Sequence, residues 1–220
     1  MKELFILFMF YSFLGWVMEV LVNLVSKKRF INRGFLMGPY CPIYGFGCLF
    51  LITLLSKYSN EVPALFALAI IICSIVEYFT SWIMEKLFKL RWWDYSKKKY
   101  NINGRICLET MIPFGIIGTL VVKYVNPYML NLINKVPDIV LNNIAIILLT
   151  ILIIDIVIST NIILNFENIV KDSKKDSTEE IKKFIRKKIR NNKYLYNRLA
   201  NSFPNFSKSK RKEKSKKKSK

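Results

Sequence analysis

Residues 62–85 read VPALFALAIIICSIVEYFTSWIME, and this stretch decides the fold class. A helix needs about 20 predominantly apolar residues to cross a bilayer, and residues 62–76 contain no charged side chain. Glu77 then interrupts the run. A carboxylate in hydrocarbon is costly unless it meets a partner or water, so an acid at this position marks a candidate functional residue.

Similar apolar runs occur along most of the chain, which is 52% hydrophobic. The predicted spans are 4–25, 40–56, 62–85, 106–125 and 139–164. We therefore predict an all-α fold, a polytopic membrane helix bundle of about five transmembrane helices within residues 1–165. The second span is the weakest, because it is short and begins among Gly38, Pro39, Pro42 and Gly45. We expect irregular or broken helix there, which survives at membrane depth only when it is buried in protein or lines a wet cavity.

The loop charges predict an orientation. Residues 26–39 and 86–105 carry four and seven Lys or Arg, whereas residues 57–61 and 123–138 carry one and two. Because cytoplasmic loops are enriched in Lys and Arg, we predict a multi-pass protein of the cell membrane. Its N-terminus would lie outside and its C-terminus in the cytoplasm.

The C-terminal part of the chain is strongly basic. Residues 166–220 hold 20 of the 35 Lys and Arg residues. This composition predicts a cytoplasmic tail with an amphipathic helix at about 178–200 and a disordered end, suited to anionic lipids of the inner leaflet. No nucleic-acid partner is expected, because no recognisable nucleic-acid-binding module accompanies the charge.

Several classes of chemistry are disfavoured by what the sequence lacks. It contains no His, and its four Cys form no C-x-x-C pair. The metalloprotease motif H-E-x-x-H and the hydrolase motif G-x-S-x-G are also absent. We expect no enzymatic activity, no metal site and no cofactor.

Three other acids accompany Glu77 within or beside the predicted spans. Glu19, Glu77 and Asp155 would each lie roughly 6 Å to the cytoplasmic side of their span centres, with Glu109 near the inner end of the fourth span. Two interpretations remain open. The acids either form one polar cluster open to the cytoplasm, or each pairs privately with a Lys or Arg, as Glu109 would with Arg105.

Helical spacing places polar residues on single faces of two predicted helices. The faces are Ser12, Gly15, Glu19 and Asn23 on the first helix, and Ser74, Glu77, Ser81 and Glu85 on the third. Small and polar residues along one stripe let membrane helices approach closely and bond across the interface. The stripes therefore indicate either a shared polar site or helix packing, and the two do not exclude each other.

An internal repeat links the two halves of the bundle. Residues 13–21 resemble residues 79–87, and residues 42–45 resemble residues 113–115. The repeat predicts two parallel helix–loop–helix units. Each inner loop combines Asn, Arg and Gly, namely Asn32, Arg33 and Gly34 in the first and Asn103, Gly104 and Arg105 in the second. The two Arg side chains would either bind an anionic ligand or neutralise Glu19 and Glu109.

Long motifs around these residues resemble a known membrane family. They are Gly15-Trp16 with Glu19, residues 32–36 with Gly38-Pro39, residues 42–45, Glu77-Tyr78, residues 91–95 and residues 101–108. In order and spacing they are similar to the family of putative type IV ABC-transporter permeases, also described as CmpB-like, over about residues 5–127. The fifth span and the tail lie outside this resemblance. The resemblance implies a permease component of a transporter.

Together these observations give a candidate site. Its polar or ligand-binding residues are Glu19, Asn32, Arg33, Glu77, Asn103, Arg105 and Glu109; an interfacial aromatic motif comprises Trp92, Trp93, Asp94 and Tyr95; and the backbone of the irregular span depends on Gly34, Gly38, Pro39, Pro42 and Gly45.

The expected function is that of a permease component without its own ATPase, because the chain lacks a G-x-x-x-x-G-K-[ST] phosphate loop. A separate ATPase subunit is then an expected partner, and the small number of spans suggests a homo-oligomer. Two alternatives stay open at this point. One is a membrane scaffold or sensor that recruits partners through its basic tail, and the other is a membrane-embedded lipid-modifying enzyme.

Overall fold

A computed structural model describes residues 1–28, 36–88 and 91–172 of the chain, without the side chains of 26, 27, 88 and 162–172. Its main elements are α1 (Lys2–Lys27), α2 (Pro42–Leu55), α3 (Val62–Phe88), β1 (Asn101–Ile102), β2 (Ile106–Cys107), α4 (Leu108–Leu120), α5 (Asn126–Ile133) and α6 (Asp138–Asp172). The predicted all-α membrane bundle is confirmed, with one short antiparallel hairpin added. The predicted helix at 178–200 and the disordered end lie outside the described residues.

Four helical segments are long and apolar enough to cross a membrane: Lys2–Val25, Val62–Leu87, Leu108–Ile133 and Asp138–Asn161. The apolar helix at Pro42–Tyr58 is shorter. Its α-helical part, α2, has 14 residues, or about 21 Å of helix, against a hydrocarbon core of about 30 Å. The second predicted span is therefore a helix of less than full membrane length.

The start of α2 differs from the irregular span that the sequence predicts. The backbone is extended at Cys41, whose amide donates to the Ser12 carbonyl of α1 at 2.8 Å, and regular helix begins at Pro42. Proline is well suited to the first helical turn, where its missing N–H would have no partner. The prediction of broken helix is wrong from Pro42 onward, because the proline that suggests a break starts a helix.

The fourth predicted span also ends later than the charge pattern suggests. Helix continues from α4 through a wide π turn at Val121–Val125 into α5, so that residues 126–133 are helical rather than loop. Pro127 lies just after the wide turn. A proline inside a helix removes one hydrogen bond and crowds the carbonyl four residues earlier, and a π turn is one way in which a helix accommodates this without ending.

Helices α1 and α2 pack closely together, as do α3 and α4, in agreement with the predicted repeat. Two glycines permit the first contact: a Cβ at Gly15 would overlap the Tyr44 ring, and a Cβ at Gly45 would overlap Ser12. Corresponding aromatics of the two pairs meet, since the Tyr44 and Phe114 rings lie 6.1 Å apart at 70°. The two pairs thus face each other across equivalent positions.

The apolar core occupies one end of the bundle. It combines Leu7 and Tyr11 from α1 with Leu51 and Leu55 from α2, and Leu65 from the start of α3. All of these side chains are nearly or fully buried. The opposite end, where α1 leads toward α2 and α3 toward α4, carries the polar residues. We call this the cap end, because residues 91–107, the cap segment, lie there.

Candidate functional site

A cavity of about 280 Å³ lies at the cap end, among α1, α2, α3, α4 and the cap segment. Its walls are mostly apolar and aromatic, with two carboxylates among them. The lining residues are Glu19, Cys41, Pro42, Ile43, Tyr44, Gly47, Cys48, Leu51, Cys73, Val76, Glu77, Thr80, Met84, Trp92, Trp93, Tyr95, Phe114, Ile117 and Gly118. This size lies near the lower end of the range for small-molecule sites in proteins, about 300 Å³.

Two of the predicted acids line this cavity. Glu19 reaches it from the C-terminal half of α1, where its Oε1 accepts a hydrogen bond of 2.7 Å from the Tyr44 hydroxyl. Glu77 reaches it from α3 and is only 6% exposed. Its Oε2 has no hydrogen-bond partner among the described residues. A buried carboxylate oxygen without a hydrogen-bond donor is energetically unfavourable. A proton or a positive charge in the cavity would therefore stabilise Glu77.

Tyr95 joins this acidic pair from the cap segment. Burial raises the pKa of its hydroxyl well above the usual range, and the charge of Glu77 and the hydrogen bond to that carboxylate raise it further. The phenol is therefore neutral at physiological pH and serves as a donor. Glu19 and Glu77 thus each have one tyrosine hydroxyl beside them, Tyr44 and Tyr95.

The cap segment is held in shape by a tight hairpin. β1 and β2 are joined by a turn in which the Arg105 amide donates to the Ile102 carbonyl at 2.9 Å. Both central residues have positive φ, 53° at Asn103 and 66° at Gly104, which is the pattern of a type I′ turn and the reason for Asn-Gly. The Trp93 indole then donates to the Arg105 carbonyl at 2.8 Å, so the hairpin holds a wall of the cavity in place.

An ion-pair cluster ties the cap segment to α3. Arg105 and Arg91 both contact Glu85 Oε2, at 2.8 and 3.1 Å. Arg105 also donates to the Ser81 hydroxyl at 3.2 Å. One of the two roles predicted for Arg105 is neutralisation of Glu109 or Glu19, and this alternative is wrong, because Arg105 pairs with Glu85. The end of α3 turns Ser81 and Glu85 toward the hairpin, so Glu85 is the acid within reach.

A family model described as "Putative ABC-transporter type IV" matches residues 6–160. The chain belongs to this family. The resemblance found in the sequence is confirmed, but its extent was too short, since the match includes most of α6 and not only residues 5–127. Comparison with curated proteins and with solved structures gives no match.

The other two acids of this ABC-transporter family member lie away from the cavity. Glu109 is 59% exposed and pairs with Lys98, whose pKa is raised by that hydrogen bond and charge. Asp155, on α6, accepts from the Met37 and Gly38 amides at 2.8 and 2.7 Å and from the Tyr40 hydroxyl at 2.6 Å. The structure thus brings together two of the four acids and satisfies the others separately.

The remaining predicted residues have structural places. Asp94 lies 3.6 Å from Arg91 and accepts from the Ser96 amide at 3.1 Å, inside the cap segment. Asn103 donates to the Tyr78 hydroxyl at 2.9 Å. Pro39 lies in the bend before α2. Asn32, Arg33 and Gly34 lie outside the described residues.

Sequence reasoning missed part of the cavity wall. The sequence predicts an interfacial belt of Trp92, Trp93 and Tyr95, and the structure shows these side chains lining the cavity. Tyr44 and Phe114 were not singled out as site residues, although they occupy equivalent positions in the repeat. That equivalence was the available signal, because residues at the interface of two repeated units tend to face a shared site.

Proposed function

We propose that the chain is the permease subunit of a transporter and that the cavity at the cap end is its substrate site. The observation that carries this proposal is the buried carboxylate of Glu77, which has an unpartnered oxygen among the described residues and faces a cavity within a membrane bundle. Ionisable groups inside membranes are costly and mark substrate or ion pathways. Family membership and the position of the cavity between two repeated helix pairs support the same function.

The energy source would lie in a separate chain. The sequence contains no phosphate-binding loop of the Walker type, so ATP hydrolysis requires another subunit. We propose that this subunit docks at the cap end, which the loop charges predict to be cytoplasmic. Four full-length spans are few to enclose a pathway, so a second copy of the chain would complete it. The basic tail would contact anionic lipids of the inner leaflet.

The test compares the chain with a variant that loses only the buried charge. Native cells would carry wild type, a deletion, Glu77→Gln, or Glu61→Gln as a matched control. Glu61 is an exposed acid before α3, at the opposite end of the bundle. Untargeted mass spectrometry of cells and medium would follow the distribution of small molecules.

We expect the deletion and Glu77→Gln to shift the same compound between cells and medium, while Glu61→Gln behaves as wild type. Immunoblots of membranes should show equal amounts of all variants. An unchanged distribution in Glu77→Gln would contradict the proposal. A scaffold acting through its tail would instead tolerate Glu77→Gln and fail when residues 166–220 are deleted.

A further inference from the structure

The cavity combines negative charge with aromatic walls. Glu19 and Glu77 are its carboxylates, and Trp92, Trp93 and Phe114 contribute rings. No Lys or Arg lines it among the described residues. A site of this composition has charge complementarity for a cation and apolar surface for the carbon atoms around that cation.

Four described basic residues in or beside the cap segment have partners outside the cavity. Arg91 and Arg105 contact Glu85, and Lys98 pairs with Glu109. Lys86 lies over the Trp82 ring at 4.1 Å from its centre. None of these cations lines the cavity, so among the described residues no positive charge satisfies the free oxygen of Glu77, and a cationic ligand would supply one.

The polar edges of several rings are already occupied. Trp93 donates its indole N–H to the Arg105 carbonyl, and Tyr44 donates its hydroxyl to Glu19. What these side chains leave for a ligand is therefore mainly carbon surface. The faces of aromatic rings attract weakly hydrated ammonium groups, and aromatic cages are the usual site of quaternary ammonium recognition.

The same composition disfavours a metal ion. Ca²⁺ takes six to eight oxygen ligands and Mg²⁺ six, whereas structural Zn²⁺ takes four nitrogen or sulfur ligands. Among the described residues no group of three or more His, Cys, Asp or Glu is arranged to hold a metal. Two carboxylates and two phenols in a mostly apolar cavity suit a monovalent organic cation better.

We propose that the cavity binds a small organic ammonium ion, with Glu77 as its counter-charge and the rings of the cap segment and α4 as its walls. This proposal rests on the proposed transport function, since it names the class of substrate for the same site. The buried free oxygen of Glu77 is the observation that points to a ligand, and the aromatic lining specifies its chemistry.

The test measures binding by the purified full chain and needs neither ATP nor a partner subunit. Tetramethylammonium chloride is the probe, sodium chloride at the same concentration is the salt control, and thermal unfolding in detergent reports binding. A ligand that binds only the folded state raises Tm, and the rise increases with the ratio of the ligand concentration to Kd. The variants are Glu77→Gln, Phe114→Leu and the exposed control Glu61→Gln.

We expect tetramethylammonium, and not sodium, to raise the Tm of wild type and of Glu61→Gln. Glu77→Gln should lower the affinity by about tenfold or more while leaving Tm without ligand no lower than that of wild type, because it removes an unpaired buried charge. Phe114→Leu should weaken binding of the ammonium ion by several-fold, since it removes one ring face.

Two results would overturn the proposal. One is a wild-type Tm that ammonium and sodium raise equally, and the other is undiminished binding in Glu77→Gln. Stabilisation by acid alone, with no ammonium effect, would show that the cavity takes only a proton. If a compound redistributes in cells but the purified chain does not bind tetramethylammonium, the transport function stands and the proposed substrate class is wrong. If the chain binds tetramethylammonium but no compound redistributes, the cation site stands and the transport function is wrong.

Discussion

Two buried acids in this bundle differ in how their carboxylate oxygens are hydrogen-bonded. The carboxylate of Asp155 accepts hydrogen bonds from two backbone amides and from the Tyr40 and Ser159 hydroxyls. Glu77 is buried to a similar degree and keeps one oxygen unpartnered among the described residues. A fully satisfied carboxylate fixes structure, whereas an unsatisfied one beside a cavity is available to a ligand. The difference supports a structural role for Asp155 and the proposed ligand-binding role for Glu77.

Replacing Asp155 with Asn tests its structural role. The amide nitrogen of Asn would face donors that the carboxylate now accepts from, so the change should cost about 3 kcal/mol. For a chain of this size that corresponds to a fall in Tm of about 6–12 °C, measured in detergent by circular dichroism. The control is Asp138→Asn on the same helix, whose partner Lys2 forms a surface pair worth about 0–1 kcal/mol. Equal Tm values for the two variants would contradict this role.

The sequence indicates which acids lie in the spans but not how each is satisfied. From the sequence, a separate partner for each acid can be sought only among Lys and Arg, because these side chains carry the opposite charge. The actual partners of Asp155 include the amides of Met37 and Gly38, which every residue type carries and which only tertiary contact brings within reach. The polar stripes placed Glu19 and Glu77 on helix faces, and the structure has both lining one cavity.

At the scale of elements, the cap segment depends on its hairpin. Its turn needs two consecutive residues with positive φ, and the hairpin then fixes Trp93 and Tyr95, whose amide donates to the Gly104 carbonyl at 2.8 Å. Asn-Gly is a strong hairpin signal, but the flanking strands have two residues each and no alternating pattern to reveal them. The sequence of this region therefore predicts a basic loop with interfacial aromatic residues and does not reveal the hairpin.

Gly104→Ala should loosen the cap segment. An L-residue with φ near +66° costs about 1–2 kcal/mol, and the added Cβ would lie 2.9 Å from Asp94 Oδ1. Cleavage by trypsin at the exposed lysines 97–99 should become about 5- to 30-fold faster, because it follows the population of the opened segment. Gly47→Ala, in α2 with open space around the new Cβ, should leave the rate unchanged. The same rate in both variants would show that the turn does not hold the segment.

Comparison of the predicted and observed helices shows which helix boundaries hydropathy predicts correctly and which it does not. Long apolar runs predicted α1, α3 and α6 well, because a helix satisfies its backbone hydrogen bonds within a single segment at that depth. The boundaries of the other two spans were less accurate. Pro42 and Pro127 both suggest interruption, and in the fold one starts a helix while the other is accommodated by a π turn.

At the scale of the whole molecule, the bundle is divided by depth. Apolar core fills one end, while the cavity, the cap segment and the ion pairs of Glu85 occupy the other. Large apolar side chains such as Ile147, Ile153 and Ile154 are exposed along α6, as expected of surface that faces lipid. The Lys- and Arg-rich cap segment lies at the cavity end, so the loop-charge rule predicts that this end faces the cytoplasm.

Cysteine labelling tests this orientation and with it the side to which the cavity opens. In a chain whose four native Cys are replaced by Ala, Asn60→Cys places a thiol on the exposed loop before α3, and Lys97→Cys places one in the cap segment. A membrane-impermeant maleimide should label Asn60→Cys in intact cells and Lys97→Cys only after the cells are permeabilised. The two variants control for each other, because both positions are exposed and differ only in the end of the bundle that carries them. Labelling of Lys97→Cys alone in intact cells would show the opposite orientation. The cavity would then receive its ligand from outside, and a cytoplasmic ATPase could not reach the cap end.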